Sequence, residues 1–205
     1  MKILLNCLIG KYGFRNTILF IRNILPIVLI SWSLFIIKKK DKIKLHQDIL
    51  RNWTVIFHDN SHSQIIPKLI VLLATEKCFR NIYYLRLGVI SGLIQWLLPK
   101  ERPFNMATKS SNIGGGLVIQ HGTATDINAK SIGENLWINQ RATIGWTEHG
   151  NPIIGNNVRI GVGAIVIGPI SVGNNVNIGA NAIVVEDVPD NVTICSPKAK
   201  IVKFH

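Results

Sequence analysis

Acidic residues are scarce in this sequence of 205 residues: 11 Asp and Glu stand against 23 Lys and Arg, a net charge of +12. Charged residues of both signs make up only 17%, whereas hydrophobic residues make up 47%. Such a composition excludes intrinsic disorder. Cysteine is also rare, and an odd number of distant residues (Cys7, Cys78 and Cys195) argues against a disulfide framework. We expect free thiols in a reducing compartment.

The positive charge is confined to the first half of the chain. Residues 1–109 hold 17 basic and 5 acidic residues (17 − 5 = +12), whereas residues 110–205 hold 6 of each. A basic and apolar first half predicts an anionic membrane surface or an acidic polymer as a partner. The charge is not accompanied by a nucleic-acid-binding motif, so we expect no nucleic acid partner.

Residues 1–40 form a hydrophobic, basic N-terminal extension. Its apolar run, 17–37, carries one charge, Arg22, and is followed by Lys38–Lys40. The uncharged part, 24–37, is short for a membrane span, which needs about 20 residues. No cleavage site of small residues follows, so a cleaved signal peptide is excluded. A spanning anchor, an interfacial helix and a core helix all remain open; the lysines favour a cytoplasmic C-terminal part.

Residues 41–103 predict a helical domain that ends between Pro99 and Pro103. We expect helices near 42–57 and 65–74, and one or two more within 76–98. The stretch 79–87 mixes aromatic residues with arginines and predicts an amphipathic core helix whose arginines reach solvent. His58 and His62 have the spacing of metal ligands on a helix, but the turn-forming residues between them favour a solvated loop.

From residue 113 onward the sequence repeats with a period of six. Positions 154, 160, 166, 172, 178 and 184 are all Ile or Val, and earlier repeats begin at 113, 119, 132, 138 and 144, with a one-residue slip. An aliphatic residue every six positions points inward from a short strand, and Gly or Asn suits each corner. Three units close one triangular coil, and stacked coils bury an aliphatic column. The fold class is therefore α+β: an N-terminal helical region followed, over 104–205, by a parallel β-helix.

Two features interrupt the repeat. The spacing between Ile144 and Ile154 is ten, so four extra residues within 146–152 must loop out. His121 lies inside a repeat, where an aliphatic or small residue is the rule. A titratable residue beside a loop excursion is where a site is expected.

The repeats, with the segments 115–122, 142–145, 152–155 and 188–192, resemble hexapeptide acyltransferases of the serine acetyltransferase type. Within that group the sequence looks most like the capsule and exopolysaccharide O-acetyltransferases, including the colanic-acid type. The resemblance covers about 105–202 closely and 47–100 loosely, the latter through Asp48 and Arg51. It implies a left-handed β-helix, a homotrimer and acetyl-CoA as co-substrate, without a metal.

The resemblance also assigns roles to residues. His121 matches the histidine that acts as general base on the acceptor hydroxyl, and neutral imidazole suits that task. Trp146 takes the place of a glycine near the thioester and would bind the acetyl carbonyl or stack on a sugar ring. Eight positions match the coenzyme A site of the family: Gly145, Trp146, Val162, Gly163, Ala164, Ala180, Lys198 and Lys200. Gly163 and Ala164 keep the corner thin, and the two lysines would meet the nucleotide phosphates.

Three departures from the family concern the acceptor. Met106 replaces an aspartate that orients the histidine, Gln120 replaces a second aspartate, and Asn151 replaces a second histidine. The groups that bind a free amino acid are thus missing, which favours an uncharged sugar hydroxyl over serine. We expect an acetyl-CoA-dependent O-acetyltransferase of bacterial capsule or exopolysaccharide synthesis, cytoplasmic or at the inner face of the plasma membrane.

Three alternatives remain behind this expectation. A serine O-acetyltransferase of cysteine biosynthesis is the first. A metal-dependent carbonic anhydrase needs three histidine ligands, and the repeats hold only His121 and His149. A purely structural β-helix would need neither the loop excursion nor His121.

Overall fold

The computed structural model describes residues 3, 4, 6, 13–200, 202 and 203. Its first half is helical, as the sequence predicts, and its second half is a solenoid of parallel strands. From Phe14 onward the helices are α1 (Phe14–Ile30), α2 (Ser33–Ile36), α3 (Lys39–Phe57), α4 (Ile65–Thr75), α5 (Lys77–Leu87) and α6 (Ser91–Ile94), with 3-10 turns at Gly88–Ile90 and Ser110–Asn112. Cys7 and the tail beyond 203 lie outside the described residues.

Helix α1 uses only one of its faces for packing. Phe20, Ile27 and Ile30 are buried, and α1 packs mainly against α4. Asn23 is buried on the same face and donates from Nδ2 to the Ala74 carbonyl at 2.7 Å. None of the helices in the described part of the chain combines the length and apolarity that a membrane crossing needs.

The arginines of α5 do not reach solvent, and this expectation is wrong. Arg80 and Arg86 are both 2% exposed. Arg80 donates to the carbonyls of Leu73, Ala74 and Pro99 at 2.6–2.8 Å. The last carbonyls of a helix have no partner within it, so the C-terminal end of α4 offers acceptors to a buried guanidinium. The same guanidinium thereby ties α4 and α5 together.

Thirteen short strands build the second half: β1 (Phe104–Met106), β2 (Val118–Gln120), β3 (Thr125–Ile127), β4 (Ser131–Ile132), β5 (Trp137–Asn139), β6 (Thr143–Gly145), β7 (Ile153–Ile154), β8 (Arg159–Ile160), β9 (Ile165–Ile167), β10 (Ser171–Val172), β11 (Asn177–Ile178), β12 (Ile183–Val184) and β13 (Thr193–Ile194). They form three parallel sheets, which are the faces of a left-handed prism of about five coils. Face one is β1-β3-β6-β9-β12, face two is β4-β7-β10, and face three is β2-β5-β8-β11-β13.

The interior of the prism confirms the six-residue period. Ile113, Ile132 and the other aliphatic residues that begin the predicted repeats are all buried. The slip has a specific cause that the sequence did not reveal. Ile127 is a further inward residue, eight positions after Ile119 and five before Ile132. The corner between Ile119 and Ile127 therefore has two extra residues, and the side between Ile127 and Ile132 has one residue fewer. The long corner is the one that carries His121.

Asparagines stabilise one edge of the prism. Asn135, Asn157, Asn175 and Asn191 occupy equivalent corners, each with a positive φ of 55–62°. Each side-chain amide donates to the next at 2.9–3.0 Å. Asparagine tolerates this left-handed backbone conformation, and its amide satisfies a corner exposed to water. The prediction of Asn at corners is thus confirmed with a reason beyond turn geometry.

A buried ion pair fastens the helices to the first coil. Arg86 Nε of α5 lies 2.9 Å from Asp48 Oδ2 of α3, and both side chains are fully buried. Asp48 also accepts from the Leu117 N–H at 2.8 Å, and Arg86 donates to the carbonyls of Ile113 and Gly114. Burial raises the pKa of Asp48, while the charge of Arg86 and these donors oppose that rise. The helical half and the coil therefore share one polar core.

Candidate active site at the edge between faces three and one

Four residues form a column along the prism edge that joins face three to face one. The N–H groups of Arg141, Gly163 and Asn181 donate to the carbonyls one coil below at 2.8–3.1 Å. Those carbonyls belong to residues that stand directly above one another in successive coils: Thr123, Gln140 and Val162, with Ala180 next above. Because neighbouring strands are spaced about 4.8 Å apart, the column rises about 14 Å from Thr123 to Ala180. We call it the edge column.

His121 lies at the foot of the edge column, in the corner with two extra residues. Its strand neighbour Gln120 pairs with Asn139, so His121 and Gly122 are the residues pushed out before Thr123. His121 has a φ of 54° and its side chain is exposed. The extra residues thus place an imidazole outside the wall of the prism, where a substrate could reach it.

Helix α5 supports this corner from behind. The Gly122 N–H donates to Cys78 Sγ at 3.2 Å. Gly122 is required there, since a Cβ would lie 2.6 Å from Ile119 Cγ2. Burial raises the pKa of the Cys78 thiol to about 11. Cys78 therefore remains a neutral thiol that supports the His121 corner, and it is no nucleophile at neutral pH.

Two adjoining clefts meet at His121. One, of about 320 Å³, is lined by Arg15 and Arg22 of α1, by Glu76 and Lys77, and by Glu101. The other, of about 340 Å³, runs between α1, α3 and β2 and is more apolar, with Val55, Ile56 and Phe79 in its wall. Among the described residues, the His121 imidazole makes no hydrogen bond or ion pair. The sequence did not indicate these wall residues, because they come from the helical half.

The three residues that depart from the family pattern all have structural roles. Met106 is partly buried against the prism core. Gln120 Oε1 accepts from Trp137 Nε1 at 3.0 Å. Asn151 Nδ2 donates to the carbonyl and to Oδ1 of Asn128 at 3.0 and 2.9 Å. None of them is a free charged group beside His121.

Trp146 lies on a different edge from His121. It follows β6 and starts the loop excursion at the edge between faces one and two, with 60% of its side chain exposed. Thr147 and Gly150 close the loop with two reciprocal 3.0 Å backbone hydrogen bonds. The four-residue excess therefore does loop out. Within one chain, however, Trp146 and the neighbouring Gly145 are separated from His121 by the width of face one.

Of the eight positions that the family resemblance matches to coenzyme A, all except Gly145 and Trp146 lie at the upper end of the edge column or on the tail beside it. Val162 and Ala180 stack as their separation of 18 residues requires. Gly163, with a φ of 68°, and buried Ala164 keep the corner beside them thin. The tail leaves over the same edge, where Ser196 Oγ donates to the Asn181 carbonyl at 2.6 Å. It carries the exposed pair Lys198 and Lys200.

No set of metal ligands is visible among the described residues. Within the described ranges, no group of three or more His, Cys, Asp or Glu side chains is arranged to hold a metal ion. His58 caps the end of α3 with a left-handed φ of 54°, and His62 is exposed in the loop that follows.

Comparison with known proteins finds acetyltransferases. A protein of Escherichia coli K12 named for acetyl transfer in colanic acid biosynthesis, WcaB, is 38% identical over 96 residues, 45% of this chain and 59% of that protein. The serine acetyltransferase of Buchnera aphidicola is 38% identical over 100 residues, 46% of this chain and 38% of that protein. The chain thus spans less than two thirds of the length of these curated relatives. No protein-family model matches it.

Solved structures show the same fold at lower identity. Neisseria gonorrhoeae serine acetyltransferase in complex with serine has a TM-score of 0.57 and 22% identity, covering 80% of this chain and 70% of that one. Brucella abortus serine acetyltransferase in complex with coenzyme A has a TM-score of 0.51 and 23% identity, covering 78% and 67%. The helical half followed by a left-handed β-helix is therefore a shared architecture.

Proposed function

We propose that the chain is a hexapeptide-repeat acyltransferase, like the acetyltransferases to which it is similar, and that it transfers acetyl from acetyl-CoA to a sugar hydroxyl. The observation that carries the proposal is the edge column, with an exposed imidazole at its foot and two lysines above its upper end. This is one continuous surface for a long, narrow cofactor and a base at its reactive end.

Coenzyme A lies along the edge column in this proposal. Its thioester is at the foot beside His121, its pantetheine arm follows the backbone corners of Val162 and Ala180, and its phosphates meet Lys198 and Lys200. A corner without bulky side chains, at Gly163 and Ala164, permits the close approach that backbone contacts need.

The chemistry needs one base. Neutral His121 takes the proton of the acceptor hydroxyl while that oxygen attacks the thioester carbonyl carbon, and the imidazolium then protonates the departing coenzyme A sulfur. The proton taken from the acceptor leaves with the thiol, so the histidine returns to its starting state.

The acceptor is a sugar rather than serine. Binding free serine requires partners for an ammonium and a carboxylate, because desolvating them without compensation costs several kcal/mol. In the serine acetyltransferases that the sequence resembles, Gln120 and Asn151 match a second aspartate and a second histidine, and Met106 matches the aspartate that orients the base. Here each of the three is apolar or engaged in a structural hydrogen bond. A neutral pyranose needs only hydrogen bonds and a flat apolar surface, which Trp146 offers.

This proposal predicts the outcome of an acceptor panel. With acetyl-CoA, we expect thiol release to rise with neutral sugars and to stay at the hydrolytic background with serine. The discrimination against serine should exceed about 10²-fold, since the positions that match the charged groups of the serine acetyltransferases carry no charge here. Turnover of serine at the rate of the best sugar would contradict the proposal and favour a serine acetyltransferase.

A homotrimer completes the site. Face one is the apolar face: Ile165, Ile167, Ile183 and Val185 point outward near its C-terminal end, and Ile183 and Val185 are 68% and 56% exposed. Such a patch marks an interface. Association there would allow Trp146 of one copy to reach the edge column of the next, a contact that one chain alone does not make.

Ile183→Asp tests this assembly. A charge on the apolar face should convert the trimer to monomer in analytical ultracentrifugation and reduce turnover at least 10-fold, while far-UV circular dichroism stays unchanged. Ile153→Asp is the matched control, because Ile153 is 39% exposed on face two. A monomer with full activity would show that each chain holds a complete site.

A further inference from the structure

Helix α1 and the residues after it present a continuous apolar surface to solvent. Its members recur at alternating spacings of four and three, which places them on one side of a helix. Their side chains are 43–84% exposed. We call this surface the apolar stripe; it comprises Phe14, Ile18, Ile21, Leu25, Val28, Trp32 and Phe35. The opposite side of α1 is buried against α4, so the apolar stripe faces away from the protein.

The charges around the apolar stripe are all positive. Residues 1–40 contain seven Lys and Arg and no Asp or Glu. Arg15 and Arg22 lie within α1, and Lys38–Lys40 follow α2. Exposed apolar side chains with basic flanks are typical of helices that lie in the surface of an anionic bilayer. A second copy of this chain would bring the same positive charges together, which disfavours it as the occupant.

The same helix forms a wall of the cleft at His121. Arg15, Leu19 and Arg22 of α1 line this cleft together with Lys77. Glu76 and Glu101 face the same space, and Glu101 accepts from Thr123 Oγ1 at 3.1 Å. Arg80 also lines it, but its guanidinium is taken up by carbonyls. Arg15, Arg22 and Lys77 thus remain as exposed cations against two carboxylates.

We propose that α1 lies in the surface of an anionic membrane and that the acceptor is a sugar joined through a phosphate to a lipid. The acceptor half of this inference rests on the proposed acetyl transfer at His121. A helix with side chains is about 10 Å across, so the apolar stripe and the arginines of α1 in the cleft wall lie within one helix diameter of each other. A lipid in the bilayer would then place its phosphate at Arg15 and Arg22 and its sugar at His121.

Vesicle flotation of the full chain tests the membrane surface. We expect binding to vesicles of phosphatidylglycerol and phosphatidylethanolamine, weak binding to phosphatidylcholine, and at least 10-fold loss for Leu25→Asp. Val89→Asp is the matched control, because Val89 is 96% exposed but lies outside the apolar stripe. Equal binding by wild type and Leu25→Asp would overturn the proposal. The proposal would also be overturned if wild type did not bind vesicles and Leu25→Asp abolished self-association, since the apolar stripe would then bind a second copy.

Arg22→Gln tests the phosphate. The acceptors are one sugar in three forms: its methyl glycoside, its 1-phosphate, and its glycoside on a short polyprenyl phosphate in detergent micelles. We expect kcat/KM to rise in that order, and Arg22→Gln to raise KM about 10-fold for the two phosphate forms only, the effect of one charge-assisted hydrogen bond. Lys109→Gln removes the same charge from an exposed site elsewhere and should change nothing.

The outcomes separate this inference from the proposed function. Equal use of all three forms, or an equal effect of Arg22→Gln on each, would reject phosphate recognition while acetyl transfer stands. A preference for the free 1-phosphate over the lipid form would reject the lipid. If none of the sugars is acetylated, the proposed function fails, and vesicle flotation still decides the membrane surface.

Discussion

His121→Ala should leave a folded protein that binds coenzyme A but turns over about 10²–10⁴-fold more slowly, the contribution of one general base. The imidazole is exposed at the foot of the edge column, and its ring contributes nothing to the prism core, so the folding cost should be small. Steady-state thiol release, coenzyme A titration calorimetry and thermal unfolding measure the three quantities separately.

The control for His121 is another exposed histidine. His62→Ala makes the same change in the loop after α3 and should retain full activity. A His121→Ala enzyme with more than half of wild-type kcat would remove His121 from the mechanism. Loss of coenzyme A binding together with activity would assign it to the cofactor instead.

The β-helix could be predicted because its physics is local and repetitive. Each side of the coil has one inward Ile or Val followed by a corner, and this unit recurs every six residues, so the period is visible in the sequence. Ile127 cannot be recognised from the period, because the spacing before it is two residues too long and the spacing after it is one residue too short. Only the pairing of β3 with β6 shows that the corner at His121 is the long one.

The edges of the prism on which the site residues lie are harder to predict from the sequence than the β-helix itself. Val162 and Ala180 stack as predicted, since their separation is three periods. Trp146, in contrast, follows inward Ile144 on face one, whereas His121 follows inward Ile119 on face three. Counting inward residues in groups of three would have placed the two on different edges. The proposal that a neighbouring copy brings Trp146 to the edge column therefore follows from the repeat.

The walls around His121 could not be predicted from the sequence. Arg15, Glu76, Cys78 and Glu101 reach it only through packing of the helical half on the first coil. The burial of the arginines in α5 cannot be predicted for the same reason. An amphipathic pattern shows that a helix has a buried side, but it does not show that backbone carbonyls of distant residues accept hydrogen bonds from a guanidinium there. Long-range polar pairing leaves no periodic signal.

That packing depends on Asp48 and Arg86, and removing either should destabilise the protein by about 3–5 kcal/mol, because the remaining charge stays buried without its partner. Urea unfolding of Asp48→Leu and Arg86→Met measures this effect. Glu148→Ala is the control: its contact with His149, at 3.5 Å, joins side chains that are 84% and 76% exposed, and we expect no measurable change.

The double variant Asp48→Leu/Arg86→Met should lose less stability than the sum of the two single variants, since no lone charge is left inside. It should not recover fully. The carbonyls of Ile113 and Gly114 lose the donors that Arg86 supplies, and the Leu117 N–H loses its acceptor, each at a cost of about 1–3 kcal/mol if left unsatisfied. Because these groups belong to the same coil as His121, kcat should fall in the double variant even where the protein is folded. Single variants that unfold like wild type would show that apolar contacts alone hold the helices on the coil.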